Sequence, residues 1–145
     1  SIYVTGQLGK AKQGLNDWLN KKDSIYCNDY LRPKPQFQKA KEISGFATSC
    51  IDISDGLIKD LGDICKQSNV GAELCYENIP ILYDQKDLTH GDDYQLCFTA
   101  PSHLDDQLRS QGFFFIGKII QNLDLIVKKD GSEVTFVKNG WDPFE

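Results

Sequence analysis

The strongest hydrophobic periodicity in the chain runs over Gly56–Ser68, where Leu57, Ile58, Leu61, Ile64 and Cys65 fall on one face of a helix. Phe46–Ile53 before it reads as a strand. After a break at Asn69–Gly71, Ala72–Tyr76 reads as the next, giving a strand–helix–strand pattern. Upstream, Ile2–Thr5 is a short run of β-branched and aromatic residues, broken by Gly6 and Gly9. Lys10–Asn20 follows as a helix with Ala11, Leu15, Trp18 and Leu19 at helical spacing. Asn28, Asp29, Pro33 and Pro35 make Ser24–Pro35 irregular, and Gln36–Ile43 predicts a short helix that ends near Gly45.

Downstream, Asn78–Asp93 is polar and rich in turn formers, and Tyr94–Thr99 is a compact strand closed by Pro101. Ser102 is placed to cap a helix over His103–Gln111. Phe113–Ile120 and Leu123–Lys128 read as strands parted by Gln121 and Asn122. Asp130-Gly131 then signals a hairpin into Glu133–Lys138. The sum is about six strands and three or four helices, an α+β domain without internal repeats.

A length of 145 residues suits one domain, and 40% apolar with 26% charged residues is the balance of a folded protein. The chain holds no methionine and starts at Ser1, so it is expected to be processed or part of something longer. With 16 basic and 21 acidic residues the net charge is −5, which disfavours nucleic acid or anionic lipid as a partner. A protein of this charge that handles phosphates needs metal ions between its carboxylates and the phosphate oxygens. No apolar run approaches the roughly 20 residues of a membrane span. Five cysteines (Cys27, Cys50, Cys65, Cys75, Cys97) without a Cys-x-x-Cys pair suggest neither a disulfide framework nor a zinc site. A reducing cytoplasm is the simplest setting, with most cysteines acting as small core residues.

Three segments are candidates for chemistry. In Ile51-Asp52-Ile53-Ser54-Asp55-Gly56-Leu57, a strand ends and a helix begins. Strand alternation puts Asp52 and Ser54 on one face and turns Ile51 and Ile53 to the core. The free amides of a helix start favour anions, whereas two carboxylates repel them. A phosphate fits there only if Mg²⁺ bridges the two. The plainer reading is a helix cap, with Ser54 or Asp55 bonded to first-turn amides and Asp52 solvated. In His90-Gly91-Asp92-Asp93-Tyr94, adjacent carboxylates could hold a metal or a polar substrate, against a solvated acidic turn with His90 on the surface. In the tail, Trp141 and Phe144 either stack on a flat ring or fold back over a core edge. Two common nucleotide loops, Gly-x-x-x-x-Gly-Lys-[Ser/Thr] and Gly-x-Gly-x-x-Gly, are absent.

Taken in order, several segments resemble the C-terminal domain of the thiamine-monophosphate kinase family, in the aminoimidazole ribonucleotide synthetase-like superfamily. They are Tyr3-Val4-Thr5-Gly6-Gln7-Leu8-Gly9, Leu31-Arg32-Pro33-Lys34-Pro35, the Ile51–Leu57 segment, Gly71-Ala72, Gly91-Asp92-Asp93-Tyr94-Gln95-Leu96-Cys97-Phe98-Thr99 and Gly140-Trp141. The resemblance covers essentially the whole chain. It implies a mixed or antiparallel sheet of about six strands with helices packed mainly on one face. It also implies that residues 1–145 are one domain of a two-domain kinase, whose N-terminal domain is missing here.

The implied activity is transfer of the γ-phosphoryl group of ATP to thiamine monophosphate, giving thiamine diphosphate, with Mg²⁺ as cofactor, in a cytoplasmic homodimer. By position, Asp52 and Asp55 resemble Mg²⁺ ligands and Ser54 an ATP contact. Asp92, where Glu is usual, matches a substrate contact, and Trp141 matches the tail aromatic that lies against thiamine. His90 stands where Gly is usual, and the stretch from Pro80 to His90 is shorter than the family's helical insertion. Another ATP-dependent enzyme of the superfamily, or a non-enzymatic ligand-binding domain, are the alternative readings.

Overall fold

A computed structural model describes residues 1–137 and 139–141. Seven strands, β1 (Ile2–Val4), β2 (Ser49–Asp52), β3 (Gly71–Cys75), β4 (Leu96–Thr99), β5 (Phe114–Ile120), β6 (Leu125–Lys129) and β7 (Ser132–Glu133), form one sheet. Its order is β2-β4-β1-β5-β3-β6-β7. All pairs are antiparallel except β3–β6. Among the described residues five α-helices accompany it: α1 (Lys10–Leu19), α2 (Cys27–Leu31), α3 (Phe37–Ile43), α4 (Leu57–Ser68) and α5 (Asp105–Ser110). The α+β class and the mixed sheet are as expected, and no described helix is long and apolar enough to cross a membrane.

Alternation along β1 explains how one sheet supports two cores. Ile2 and Val4 point to a cluster with Ile53, Leu57, Leu61, Leu74 and Ile116, which α4 covers. Tyr3 points the other way, onto Phe98, Phe113, Ile43 of α3 and Leu108 of α5. Tyr3 and Phe98, directly paired across β1 and β4, stack at 5.2 Å between ring centroids, and Phe113 meets Phe98 edge-on at 5.3 Å. The helices therefore divide between the two faces, where cover mainly on one face was expected.

Helix α4 buries Leu57, Ile58, Leu61 and Cys65, with Ile64 half-buried at the margin of the predicted face. Asn69, in the left-handed conformation at φ 54°, ends it. The sequence segment expected to be irregular contains α2, which packs against α1. Ser102 makes no cap bond; a 3-10 turn over Ser102–Leu104 leads into α5. Of the last predicted strand, Glu133–Lys138, only Glu133 lies in a strand among the described residues, as the end of β7. Its hairpin forms as expected, with Asp130 and Gly131 both at positive φ. The strands before and after α4 do not become neighbours: β4, β1 and β5 lie between β2 and β3.

Candidate active site

Two acidic segments singled out in the sequence lie side by side. As β2 ends, its pairing with the approach to β4 continues irregularly: Tyr94 N–H donates to the Ile53 carbonyl at 2.9 Å, and Asp92 N–H to the Ser54 carbonyl at 3.0 Å. Asp92 and Tyr94 adopt left-handed backbone, at φ 66° and 48°, a conformation that non-glycine residues take at a cost and often at functional sites. Gly56 is required where it stands. Its φ of 121° is open to glycine, and a Cβ there would lie 2.8 Å from the Thr89 carbonyl carbon.

Neither Ser54 nor Asp55 caps α4. The cap comes from inside the helix: Asp60 Oδ2 accepts the amide protons of Ser54, Asp55 and Gly56 at 2.9, 3.0 and 3.2 Å. Asp60 is only 3% exposed, and burial pushes its carboxyl pKa up while the amide bonds pull it down. This anchor leaves the side chains of Ser54 and Asp55 uncommitted to the helix amides. Asp52, at the exposed end of β2, points away from the core that takes Ile51 and Ile53. Tyr94 lies beside all three candidate carboxylates. Burial first, then Asp92, Asp52 and Asp55, raise its hydroxyl pKa.

The tail closes onto the same loop. Trp141 N–H donates to the Asp55 carbonyl at 2.9 Å, and its side chain stays 61% exposed. Lys59 Nζ lies 2.8 Å from Asp55 Oδ2 and 2.7 Å from the Trp141 carbonyl oxygen. The exposed ring favours stacking over core cover. Phe144, the other aromatic of the tail, and Lys138, the end of the last predicted strand, lie outside the described residues.

Asp93, one residue from Asp92, faces elsewhere. Its carboxylate accepts the amide protons of Gly9 at 2.7 Å and Ala11 at 3.1 Å, capping α1. Burial pushes its pKa up to about 6 against those bonds. Gly9, at φ 92°, turns the chain there. A cleft of about 570 Å³ lies in front of this helix start, lined by Gln7, Lys10, Asn28, Arg32, Lys34 and Asp93. Asp52, Asp55, Asp92 and Trp141 are not in its wall. His90, expected on the surface, is half-buried, and burial lowers its pKa. Cys65 and Cys97 are core residues; Cys50 is exposed, and Cys27 and Cys75 are half-buried.

Asp52, Asp55 and Asp92 offer hard oxygen donors on one rim, the chemistry Mg²⁺ takes. Among the described residues, no three His, Cys, Asp or Glu side chains are close enough to hold a metal ion by themselves. The rim fits an ion that keeps several waters and binds one or two carboxylates together with phosphate oxygens.

No family model matches the chain. It is 35% identical, over 168 aligned positions, to the thiamine-monophosphate kinase of Escherichia coli O157:H7, covering 99% of this chain and 52% of the relative. The chain thus spans about half the length of the curated relatives it matches. Because the alignment is longer than the 145 residues, the relative also carries residues within the matched region that this chain lacks. AaThiL, solved in complex with AMPPCP and TMP, superposes with a TM-score of 0.83 at 28% identity, covering 99% of this chain and 51% of that one. Thiamine-monophosphate kinase from Stenotrophomonas maltophilia K279a gives a TM-score of 0.78 at 30% identity, covering 92% and 50%. By its sequence over nearly its whole length and by its fold, the chain is similar to thiamine-monophosphate kinases, over about half of their length.

Proposed function

We propose that the chain is the C-terminal domain of a two-domain, homodimeric, cytoplasmic kinase that uses ATP and Mg²⁺ to convert thiamine monophosphate to thiamine diphosphate. The observation that carries this reading is the meeting of the metal-side and substrate-side residues. Asp92 is bonded through its backbone to Ser54, and Trp141 through its backbone to Asp55. Residues expected on the two sides of a phosphoryl transfer therefore share one rim, in a fold that AaThiL shares in complex with an ATP analogue and TMP.

In this reading Asp52 and Asp55 hold Mg²⁺, which neutralises phosphate charge and orients its oxygens when bound. Ser54, held at the loop by the Asp60 anchor, presents its hydroxyl to the nucleotide. Thiamine is cationic and aromatic, so it suits the carboxylate of Asp92 and a face of the exposed Trp141 ring. The reaction needs no side-chain nucleophile, because the acceptor oxygen belongs to the substrate's own phosphate. Positioning and charge neutralisation carry the reaction. The partners are ATP, thiamine monophosphate and the N-terminal domain, with no nucleic acid or membrane.

The test is a coupled ADP-release assay with ATP, Mg²⁺ and thiamine monophosphate. The 145-residue chain is expected to be inactive, since this rim is only part of a metal site, and joining it to an N-terminal domain of the family should produce turnover. Robust turnover by the chain alone, or failure of the joined protein to accept thiamine monophosphate, overturns the assignment.

A further inference from the structure

We propose that Lys59 is a positioning residue that latches the Trp141 tail onto the Asp55 loop, and that a divalent cation taken by Asp55 opens this latch. Only the second half of this statement rests on the reading of Asp55 as a metal ligand.

One side chain joins two segments that are far apart in sequence. From the first turn of α4, Lys59 Nζ reaches Asp55 Oδ2 at 2.8 Å and the Trp141 carbonyl at 2.7 Å, and the Trp141 N–H closes the ring onto the Asp55 carbonyl at 2.9 Å. The stem of Lys59 also carries the tail: a Cβ on Gly140 would lie 2.7 Å from Lys59 Cβ, so the backbone runs directly over it. Both partners of the Lys59–Asp55 pair are about two-thirds buried, which lessens screening by solvent.

The ammonium and a bound Mg²⁺ want the same carboxylate. A doubly charged ion at Asp55 repels a lysine whose nitrogen is within 3 Å of that oxygen. Repulsion by a cation at Asp55 drives the Lys59 nitrogen off that carboxylate, and the same displacement carries it from the Trp141 carbonyl, because the one nitrogen lies within 3 Å of both. By linkage, tail position and cation occupancy then bias each other in equal measure. The consequence for the proposed kinase is order: the ring of Trp141 is parked while the carboxylate rim is empty and is released to meet the acceptor once cation arrives.

The chain has two tryptophans, Trp18 and Trp141, so W18F leaves Trp141 as the sole fluorophore. Trp18 is half-exposed, and its replacement by Phe is tolerable. In this background, fluorescence anisotropy of the 145-residue chain should fall when Mg²⁺ is added to metal-free protein. K59M should start at the low value and stay there, whereas K59R, which keeps charge and donors, should restore the high metal-free value. Calorimetric Mg²⁺ affinity should tighten roughly two- to fivefold in K59M, the share that a partly exposed ion pair accounts for. Equal metal-free anisotropy in K59M and the Lys59 protein overturns the latch. Anisotropy that ignores Mg²⁺ in the Lys59 protein overturns the opening, whether or not calorimetry shows the ion binding. Unchanged Mg²⁺ binding in D55N overturns the ligand reading and leaves the metal-free comparison to judge the latch alone.

Discussion

The carboxylate of Asp93 accepts the Gly9 amide proton at 2.7 Å, capping helix α1 from a loop 84 residues further along the chain. The cap makes Asp93 a structural neighbour of Asp92, the proposed substrate contact, and at the same time a titrating group. Its carboxyl normally titrates near 3.8; in the folded protein burial raises it to about 6, against the pull of the amide bonds. Between those values the folded form keeps a proton that the unfolded form has lost. Its contribution to stability is therefore fully present below about pH 3.8 and is lost as pH rises through about 6, by roughly 3 kcal/mol in all. Urea unfolding from pH 3.5 to 7.5, taken as the difference between wild type and D93N, should show that fall. A pH-independent difference would contradict the assignment.

A second stability prediction concerns Asp60, which holds three amides of the loop from one oxygen. In D60A those amides are stranded beside a 3%-exposed site. The expected loss is about 2–4 kcal/mol, read from urea midpoints. D60N keeps an acceptor oxygen and should lose about half as much. A D60A loss under 1 kcal/mol would mean that the loop is held by something other than these bonds.

How much of this was legible in the sequence depends on the range of the interactions. The buried face of α4 and the Asp130-Gly131 hairpin follow from local spacing and turn chemistry, and both formed. Helix α2 was hidden because its flanking Asn, Asp and Pro residues argue for loop, while packing against α1 decides otherwise. The roles of Asp60 and Asp93 were missed for different reasons. An acidic residue in the first turn of a helix that begins with Gly is a readable anchor signal, and Asp60 is one. Nothing local connects Asp93 to Gly9. Residue types marked Asp52, Asp55 and Asp92 as chemically capable, and only family resemblance gave them roles. Their adjacency comes from the pairing of β2 with β4, which periodicity does not encode.

The proposed Mg²⁺ role of the carboxylate rim gives a third expectation, in the proposed two-domain enzyme. D52N removes an exposed hard donor and D55N a partly buried one whose ion pair is still open to solvent, so unfolding free energies should shift by under about 1 kcal/mol. Activity should fall by at least the roughly 10- to 100-fold that even outer-shell changes at metal sites cost. Raising Mg²⁺ should recover part of the loss in D52N. Near-wild-type activity in both variants at limiting Mg²⁺ would remove these two residues from the metal site.

Trp141 separates binding from folding most cleanly. Its ring is 61% exposed, and its described hydrogen bonds are made by its backbone N–H and carbonyl, which W141A keeps. The substitution should therefore leave the unfolding free energy, read from urea denaturation, within about 0.5 kcal/mol of wild type. If the ring lies against the cationic thiazolium, losing it removes a cation–π contact of about 0.5–2 kcal/mol, or roughly a 2- to 30-fold rise in KM for thiamine monophosphate. The KM for ATP should not move, because the nucleotide is assigned to Ser54 and the carboxylate rim. W141F should recover most of the loss. A W141A enzyme whose KM for ATP rises in parallel would show instead that the tail orders the Asp55 loop as a whole, through the bonds that join Trp141, Lys59 and Asp55.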